Sequence, residues 1–170
     1  MSFLTLARDR YSVRKFKEDE VEQEKINLIL EAGHLAPTAV NNQPQRIYVI
    51  KSTEALAKLR MCTNSHFNAP LVLMVGYDKK ENWVRSFDGK NSGDIDASIV
   101  TTHMMLEAKE LGIGSTWVMS FDSAKLKELF NLGEDVELTA LLPMGYPAAD
   151  AEPSVRHFSY RDLDEVVTYL

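Results

Sequence analysis

Apolar residues recur at helical spacing in five segments of the chain. In the second of these segments, Ile26, Ile29 and Leu30 share one face, and acidic residues at its start favour the helix dipole. The longest segment is apolar around most of its circumference, so we expect it to be buried on several sides and to supply a subunit interface. The predicted helices are Phe3–Arg10, Glu22–Leu35, Thr53–Cys62, Asp94–Leu111 and Ser123–Phe130.

Shorter apolar runs predict four strands between these helices. The run at 71–77 is apolar on both faces, which is typical of a central strand. Helices and strands do not alternate regularly, and no glycine-rich phosphate loop follows the first strand, so an α+β fold is favoured over a doubly wound α/β sheet. The predicted strands are Arg46–Ile50, Leu71–Tyr77, Ser115–Ser120 and Leu138–Tyr146.

Two segments lack a clear period. Lys79–Ser92 is polar with Trp83 and Phe87 embedded in it, a pattern that fits a lid or a loop with a short helix. The C-terminal segment, Ala151–Leu170, has little periodicity before residue 163, and such a tail seldom folds alone. We therefore expect it to pack on a partner subunit.

Composition sets the protein class. The 170 residues suit one domain, 1–170, and a net charge of −6 argues against binding to nucleic acid or to an anionic membrane. No apolar run approaches the roughly 18 residues of a membrane span. With one cysteine, Cys62, no internal disulfide forms, and no secretory pattern opens the sequence, so we expect a cytoplasmic protein.

The heptad Arg10-Tyr11-Ser12-Val13-Arg14-Lys15-Phe16 is the strongest candidate binding motif. Forked guanidiniums, a small hydroxyl and free backbone N–H groups are the partners that an oxyanion needs. In an acidic chain this combination indicates the phosphate of a small ligand. The alternative is an exposed basic turn, which is also common.

Two further motifs could line a flat ligand. The loop from Ala36 to Pro44 is rich in Asn, Gln and Thr, which offer neutral donors and acceptors, although the same residues are good turn formers. The run from Leu111 to Met119 begins with Gly112 and Gly114, which suit the end of a helix. Its Trp117 and Met119 would either contact the face of an aromatic ligand or pack in the core.

Several chemistries lack support in the sequence. The four histidines do not have the spacing of a metal site, and neither a hydrolase elbow nor a Walker loop is present. Cys62 lies in an amphipathic helix and is expected to be a small buried hydrophobe. Because no acid–base pair or nucleophile stands out, any catalytic chemistry is expected to belong to a cofactor.

The ordered set of motifs resembles the FMN-dependent nitroreductase family. The matching elements are Arg-x-Ser-x-Arg-x-Phe, Ala-Pro-Thr-x-x-Asn-x-Gln-Pro, Gly-Ile-Gly-Ser-Thr-Trp, Gly-Tyr-Pro and a basic residue before Leu-Asp-Glu-Val-Val, spanning residues 10–161. The resemblance implies an α+β fold with a central, mainly antiparallel sheet flanked by helices. It also implies a homodimer with FMN at the interface and a C-terminal segment that crosses to the partner subunit.

The same resemblance assigns the site residues. Arg10, Ser12 and Arg14 would hold the FMN phosphate and ribityl chain, helped by Arg161, with Arg156 and His157 as alternatives nearby. The partner subunit's loop would line the isoalloxazine, and the strand after the second glycine would approach the ring through backbone and apolar surface. These residues are Pro37, Thr38, Ala39, Asn41, Gln43, Trp117, Val118 and Met119.

The implied activity is a two-step exchange of electrons. NADH or NADPH would give hydride to flavin N5, and a small acceptor such as a nitroaromatic or quinone would then take electrons at the same face. No catalytic side chain and no metal is implied. The alternatives are a flavoenzyme of the same fold, such as a reductive dehalogenase, and a non-catalytic flavin-binding or regulatory protein.

Overall fold

The computed structural model describes residues 2–170, and a four-stranded sheet forms its centre. The strand order is β1-β2-β4-β3, and all three pairings are antiparallel. β2 lies between two neighbours and is buried along nearly its whole length, as the sequence predicts for a central strand. The strands are β1 (Gln45–Ile50), β2 (Leu71–Asp78), β3 (Gly114–Ser115) and β4 (Val136–Gly145).

Helices cover both faces of this sheet. Because successive side chains of a strand point to opposite sides, the continuous apolar run of β2 serves two cores. Leu71 and Leu73 pack with α2 and α4, whereas Val72 and Met74 pack with α3 and α5. The helices are α1 (Phe3–Asp9), α2 (Gln23–His34), α3 (Thr53–Arg60), α4 (Gly93–Glu110), α5 (Ser123–Leu129) and α6 (Leu163–Val166). The α+β fold and the five predicted helices are confirmed, with ends shifted by at most two residues.

The predicted strand at 115–120 is wrong in length, because β3 contains only two residues. The chain continues beside β4 in the same register: the N–H of Thr116 donates to the carbonyl of Pro143, and Val118 exchanges both backbone hydrogen bonds with Leu141. Pro143 has no N–H to return to Thr116, so the ladder is interrupted there. A proline in the neighbouring strand therefore shortens β3.

The two segments without periodicity adopt simple structures. The polar segment contains an isolated bridge between Val84 and Asn91, closed by an ion pair between Arg85 and Asp88, and residues 79–92 form no helix. The C-terminal segment has a 3-10 turn at Val155–Phe158 and the short α6, whose four residues are all exposed. Among the helices formed by residues 2–170, none is long and apolar enough to cross a membrane.

Candidate functional site

The heptad begins where α1 ends and then follows the edge of the sheet. Arg10 caps α1 in an extended conformation. The N–H of Val13 donates to the carbonyl of Ser115 at 3.0 Å, and the Val13 side chain is buried. Since successive side chains of an extended segment point to opposite sides, burial of Val13 directs Ser12 and Arg14 outward. The backbone thus fixes which heptad side chains reach the surface.

Two glycines after α4 allow the heptad to lie close to β3. Gly112 has a φ of +78°, and it ends α4 in the left-handed conformation that the sequence predicts. A Cβ atom on Gly114 would lie 2.7 Å from Cγ2 of Val13 and 3.1 Å from Cγ of Pro147. A side chain at residue 114 would therefore push the heptad away from the sheet.

A cleft of about 320 Å³ opens beside the heptad. Its lining contains three guanidiniums, three serine hydroxyls, an imidazole and a phenol, and it contains no carboxylate. The lining residues are Arg10, Ser12, Arg14, Ser154, Arg156, His157, Ser159 and Tyr160. This set of donors complements a phosphate monoester, whose oxygens accept paired hydrogen bonds from arginine.

The guanidiniums of the cleft keep most of their donors unused. Nη1 of Arg14 donates to the carbonyl of Ser12 at 3.1 Å, and Nη1 of Arg10 contacts the weak acceptor Sδ of Met105 at 3.7 Å. Within residues 2–170, neither these two arginines nor Arg156 forms an ion pair. With five N–H donors on each guanidinium, the cleft can bind an anion without breaking an existing pair.

Lys15, the remaining cation of the heptad, has a structural partner. Its Nζ atom lies 2.6 Å from Oδ2 of Asp150. This hydrogen bond, together with the attraction between the charges, raises the pKa of Lys15 and lowers the pKa of Asp150. The pair joins the heptad to the chain that follows β4.

The predicted ring-lining loop lies at the start of α4. A 3-10 turn spans Ala39–Asn41, and the N–H of Ala39 donates to Oδ1 of Asp96 at 2.9 Å. Across the loop, Oγ1 of Thr38 accepts from the N–H of Gln43 at 3.0 Å. Pro37, Asn41 and Gln43 are exposed, and Nε2 of Gln43 donates to the carbonyl of Asn41 at 3.4 Å.

Within one chain, the loop and the heptad lie at different positions along α4. The loop contacts Asp96 in the first turn, whereas Arg10 contacts Met105. Nine residues separate these two points, which corresponds to about 13 Å along a helix that rises 1.5 Å per residue. None of the residues 37–43 lines the arginine cleft. A single chain therefore presents two separate halves of the predicted site.

The three residues predicted to approach the flavin ring differ in how much of their surface is exposed. Val118 is buried in the core with α3 and α5, and both of its backbone groups are bonded to Leu141. Trp117 is half-buried, and Met119 is exposed at 72%. Met119 thus presents the most free apolar surface of the three.

The C-terminal cations lie at different places relative to the cleft. Arg156 and His157 line the cleft, whereas the exposed Arg161 does not. Ser154 and Ser159, which flank the 3-10 turn, were missed by sequence reasoning, because single serines in an aperiodic segment carry no signal. Within residues 2–170, no group of three or more His, Cys, Asp or Glu residues is arranged to hold a metal ion.

Asp96 was also missed, although a signal was present. An acidic residue at a helix start is commonly explained by the helix dipole alone. Asp96 lies on the same stripe of α4 as Val100 and Met104, both fully buried, and is itself only 2% exposed. A charged residue within a buried helical stripe indicates a specific partner.

The structure is a small α+β protein with a cleft lined by three arginines, and comparisons with known proteins identify its family. The sequence matches the Nitroreductase family over residues 7–67 and 60–146. A relative from Archaeoglobus fulgidus, named for NADH dehydrogenase and NAD(P)H nitroreductase activities, is 30% identical over 151 residues, covering 81% of each chain. This chain belongs to the nitroreductase family.

Solved structures extend the similarity to nearly the whole chain. A nitroreductase family protein from Clostridium difficile 630 is 43% identical with a TM-score of 0.94, covering 99% of this chain and 98% of that one. A nitroreductase-like protein from Desulfovibrio desulfuricans, solved in complex with FMN, is 28% identical with a TM-score of 0.85, covering 98% and 95%.

Proposed function

We propose that the protein is an FMN-dependent oxidoreductase that takes electrons from NADH or NADPH and passes them to a small acceptor such as a nitroaromatic or a quinone. The observation that carries the proposal is the cleft lined by arginines and serines without a carboxylate. The FMN complex of the Desulfovibrio desulfuricans relative and the nicotinamide nucleotides in the name of the Archaeoglobus fulgidus relative support it.

The residues of the cleft fit the phosphate of FMN. Arg10 and Arg14 bring charged donors from the heptad, and Arg156 brings a third from the C-terminal segment. Ser12 adds a hydroxyl of the size that suits a phosphate oxygen. We assign the third arginine of the site to Arg156 in place of Arg161, because Arg156 lines the cleft.

We further propose that the active form is a homodimer in which α4 packs against α4 of a second copy. A groove of about 470 Å³ runs along the exposed side of α4, and Ile95, Ile99 and His103 are among its lining residues. If the two helices cross in opposite directions about a twofold axis, the start of one lies beside the end of the other. That arrangement brings the loop at 37–43 of one copy to the arginine cleft of the other.

FMN, when bound, supplies the chemistry: it accepts a hydride and delivers electrons to the acceptor. The role of the protein is to bind and orient FMN. The arginine cleft anchors the phosphate, the amides of Asn41 and Gln43 offer donors and acceptors to the polar edge of the ring, and Met119 offers apolar surface. No side chain of this chain is required to form a covalent bond.

Flavin titration and anaerobic reduction test the proposal. Purified protein is expected to bind FMN and to lose the visible flavin absorbance when NADH or NADPH is added without oxygen. Arg14→Ala removes one charged donor, so FMN binding is expected to weaken by about 1.5–3 kcal/mol, or roughly 10- to 150-fold in Kd. Arg60→Ala, at an exposed arginine at the end of α3, is the matched control and should leave Kd unchanged.

Each failure has a separate meaning. Protein that refuses FMN would overturn every flavin assignment. Protein that binds FMN but is reduced by neither nicotinamide would replace the enzyme with a non-catalytic flavin-binding protein. Equal FMN affinity of Arg14→Ala and Arg60→Ala would refute the phosphate assignment alone.

A further inference from the structure

The loop beside the start of α4 has an unusual backbone. Val40, Asn41 and Gln43 have φ angles of 46°, 59° and 53°, so three of four consecutive residues are left-handed and none is glycine. Asparagine tolerates this region, but a β-branched residue rarely adopts it. Such strain persists only where the surroundings over-determine the conformation, and it clusters at functional sites.

A single buried carboxylate holds the start of this loop. Oδ1 of Asp96 accepts from the N–H of Ala39 at 2.9 Å, directly before the first left-handed residue. Oδ2 of the same carboxylate accepts from Oγ of Ser92 at 2.7 Å, and Ser92 Oγ in turn accepts from the N–H of Trp83. Both carboxylate oxygens are therefore committed, one of them to the loop.

Asp96 is a buried carboxylate that hydrogen bonds alone compensate. It is 2% exposed, and within residues 2–170 no Lys, Arg or His forms an ion pair with it. Burial of a carboxylate without a cation is unfavourable unless hydrogen bonds compensate for it. The neighbouring Asp94 does not share the role, since it accepts from Oγ1 of Thr139 in β4.

We infer that Asp96 is a positioning residue that holds the 37–43 loop in its left-handed conformation, and so sets the affinity for the ring of the flavin but not for its phosphate. The inference rests on the proposed function, since the loop is assigned there to the isoalloxazine. The side chain of Asp96 forms its hydrogen bonds with Ala39 and Ser92, and it acts through the loop.

Binding of two flavins by full-length protein separates this role from the phosphate site. Riboflavin carries the same ring as FMN and lacks the phosphate. Asp96→Asn keeps the shape of the side chain and removes its charge, so we expect the Kd values of FMN and riboflavin to rise by the same factor, about tenfold. Arg14→Ala is expected to raise only the Kd of FMN. Asp122→Asn is the control, because Asp122 also accepts a backbone N–H, that of Lys125, at the start of α5.

Rescue distinguishes loop geometry from general loss of stability. Asparagine occupies the left-handed region more readily than valine, so adding Val40→Asn to Asp96→Asn is expected to recover most of the lost affinity for both flavins. The visible circular dichroism of the bound flavin should return towards the wild-type spectrum in the double variant. A structural defect elsewhere in α4 would not respond to a substitution at residue 40.

Three results would overturn the inference: unchanged binding of both flavins by Asp96→Asn, weaker binding of FMN alone, or no rescue by Val40→Asn. If Asp96→Asn does not fold, Ser92→Ala replaces it, because it removes one donor to the carboxylate and leaves the charge. We then expect a smaller, equal rise of both Kd values, and unchanged values would refute the inference. Wild-type protein that binds no flavin would instead refute the proposed function.

Discussion

Replacing Gly114 with alanine is predicted to disturb both the packing of the heptad against β3 and the arginine cleft. The substitution places a Cβ atom 2.7 Å from Cγ2 and 2.9 Å from Cβ of Val13, and 3.1 Å from Cγ of Pro147. Carbon atoms normally approach no closer than about 3.5 Å. The heptad or β3 must therefore move by several tenths of an ångström.

The structure gives the size of the expected effect. Val13 is only 2% exposed, and the hydrogen bond from its N–H to Ser115 fixes its backbone, so rotation of the side chain cannot relieve the contact at its Cβ atom. Overpacking of this kind costs about 1–3 kcal/mol of folding stability. Ser12 and Arg14 flank Val13, so the displacement also moves two groups of the arginine cleft. We expect FMN binding to weaken by about 1.4 kcal/mol or more, which is tenfold in Kd.

Urea unfolding and FMN titration measure the two effects of Gly114→Ala. Gly133→Ala is the matched control, because a Cβ atom at residue 133 has no neighbour within 4 Å and the backbone there is not left-handed. The control is expected to be neutral or to stabilise by about 0.4–1 kcal/mol. Equal stability and equal FMN affinity in the two alanine variants would refute the close packing of the heptad against β3.

Two further predictions concern the ends of the site. Lys15→Met removes the partner that lowers the pKa of Asp150, so an NMR titration should find that pKa raised towards its ordinary value. The Lys15–Asp150 pair stabilises the fold above the ordinary pKa of an aspartate, and this stabilisation is lost as the pH falls through the lowered pKa of Asp150. The variant should therefore lose this part of the pH dependence of its unfolding free energy. An unchanged pKa of Asp150 in the variant would contradict the pairing. Removal of residues 162–170 takes away the exposed α6 and its apolar side chains, so size-exclusion chromatography and flavin titration are expected to show a weaker dimer and weaker FMN retention. A truncated protein that remains dimeric with full FMN affinity would disprove a crossing tail.

The helices and strands that depend on the pattern of their own residues could be predicted from the sequence. Apolar spacing located α2 and α4, and the double-sided run of β2 identified the central strand. The short β3 was not predictable, because its cause lies elsewhere in the chain: Pro143 in β4 lacks the N–H that would bond to Thr116. Strand length depends on the partner strand as well as on the residues of the strand itself.

The residues of the candidate site also differ in whether the sequence alone could predict them. The heptad motif was sufficient to predict a concentration of donors around Arg10, Ser12 and Arg14, since these residues are close in sequence. The presence of Arg156 in the cleft depends on how the C-terminal segment folds back, and the sequence of that segment has no periodicity from which its path could be predicted. Asp96 required knowledge that its face of α4 is buried, and burial is a property of the whole fold.

The exposed side of α4 supports the proposal that the site is shared between two copies of the chain. Val100 and Met104 pack in the core with α2 and the sheet, while Ile95 is 49% exposed on the side that forms the groove. A helix that is apolar all round is normally buried all round, and this one is not covered by its own chain on that side. A second copy crossing in the opposite direction would cover the groove and, by the same placement, bring each loop at 37–43 to the other copy's arginine cleft. One symmetric contact thus meets both requirements, which is why we favour the homodimer as the functional unit.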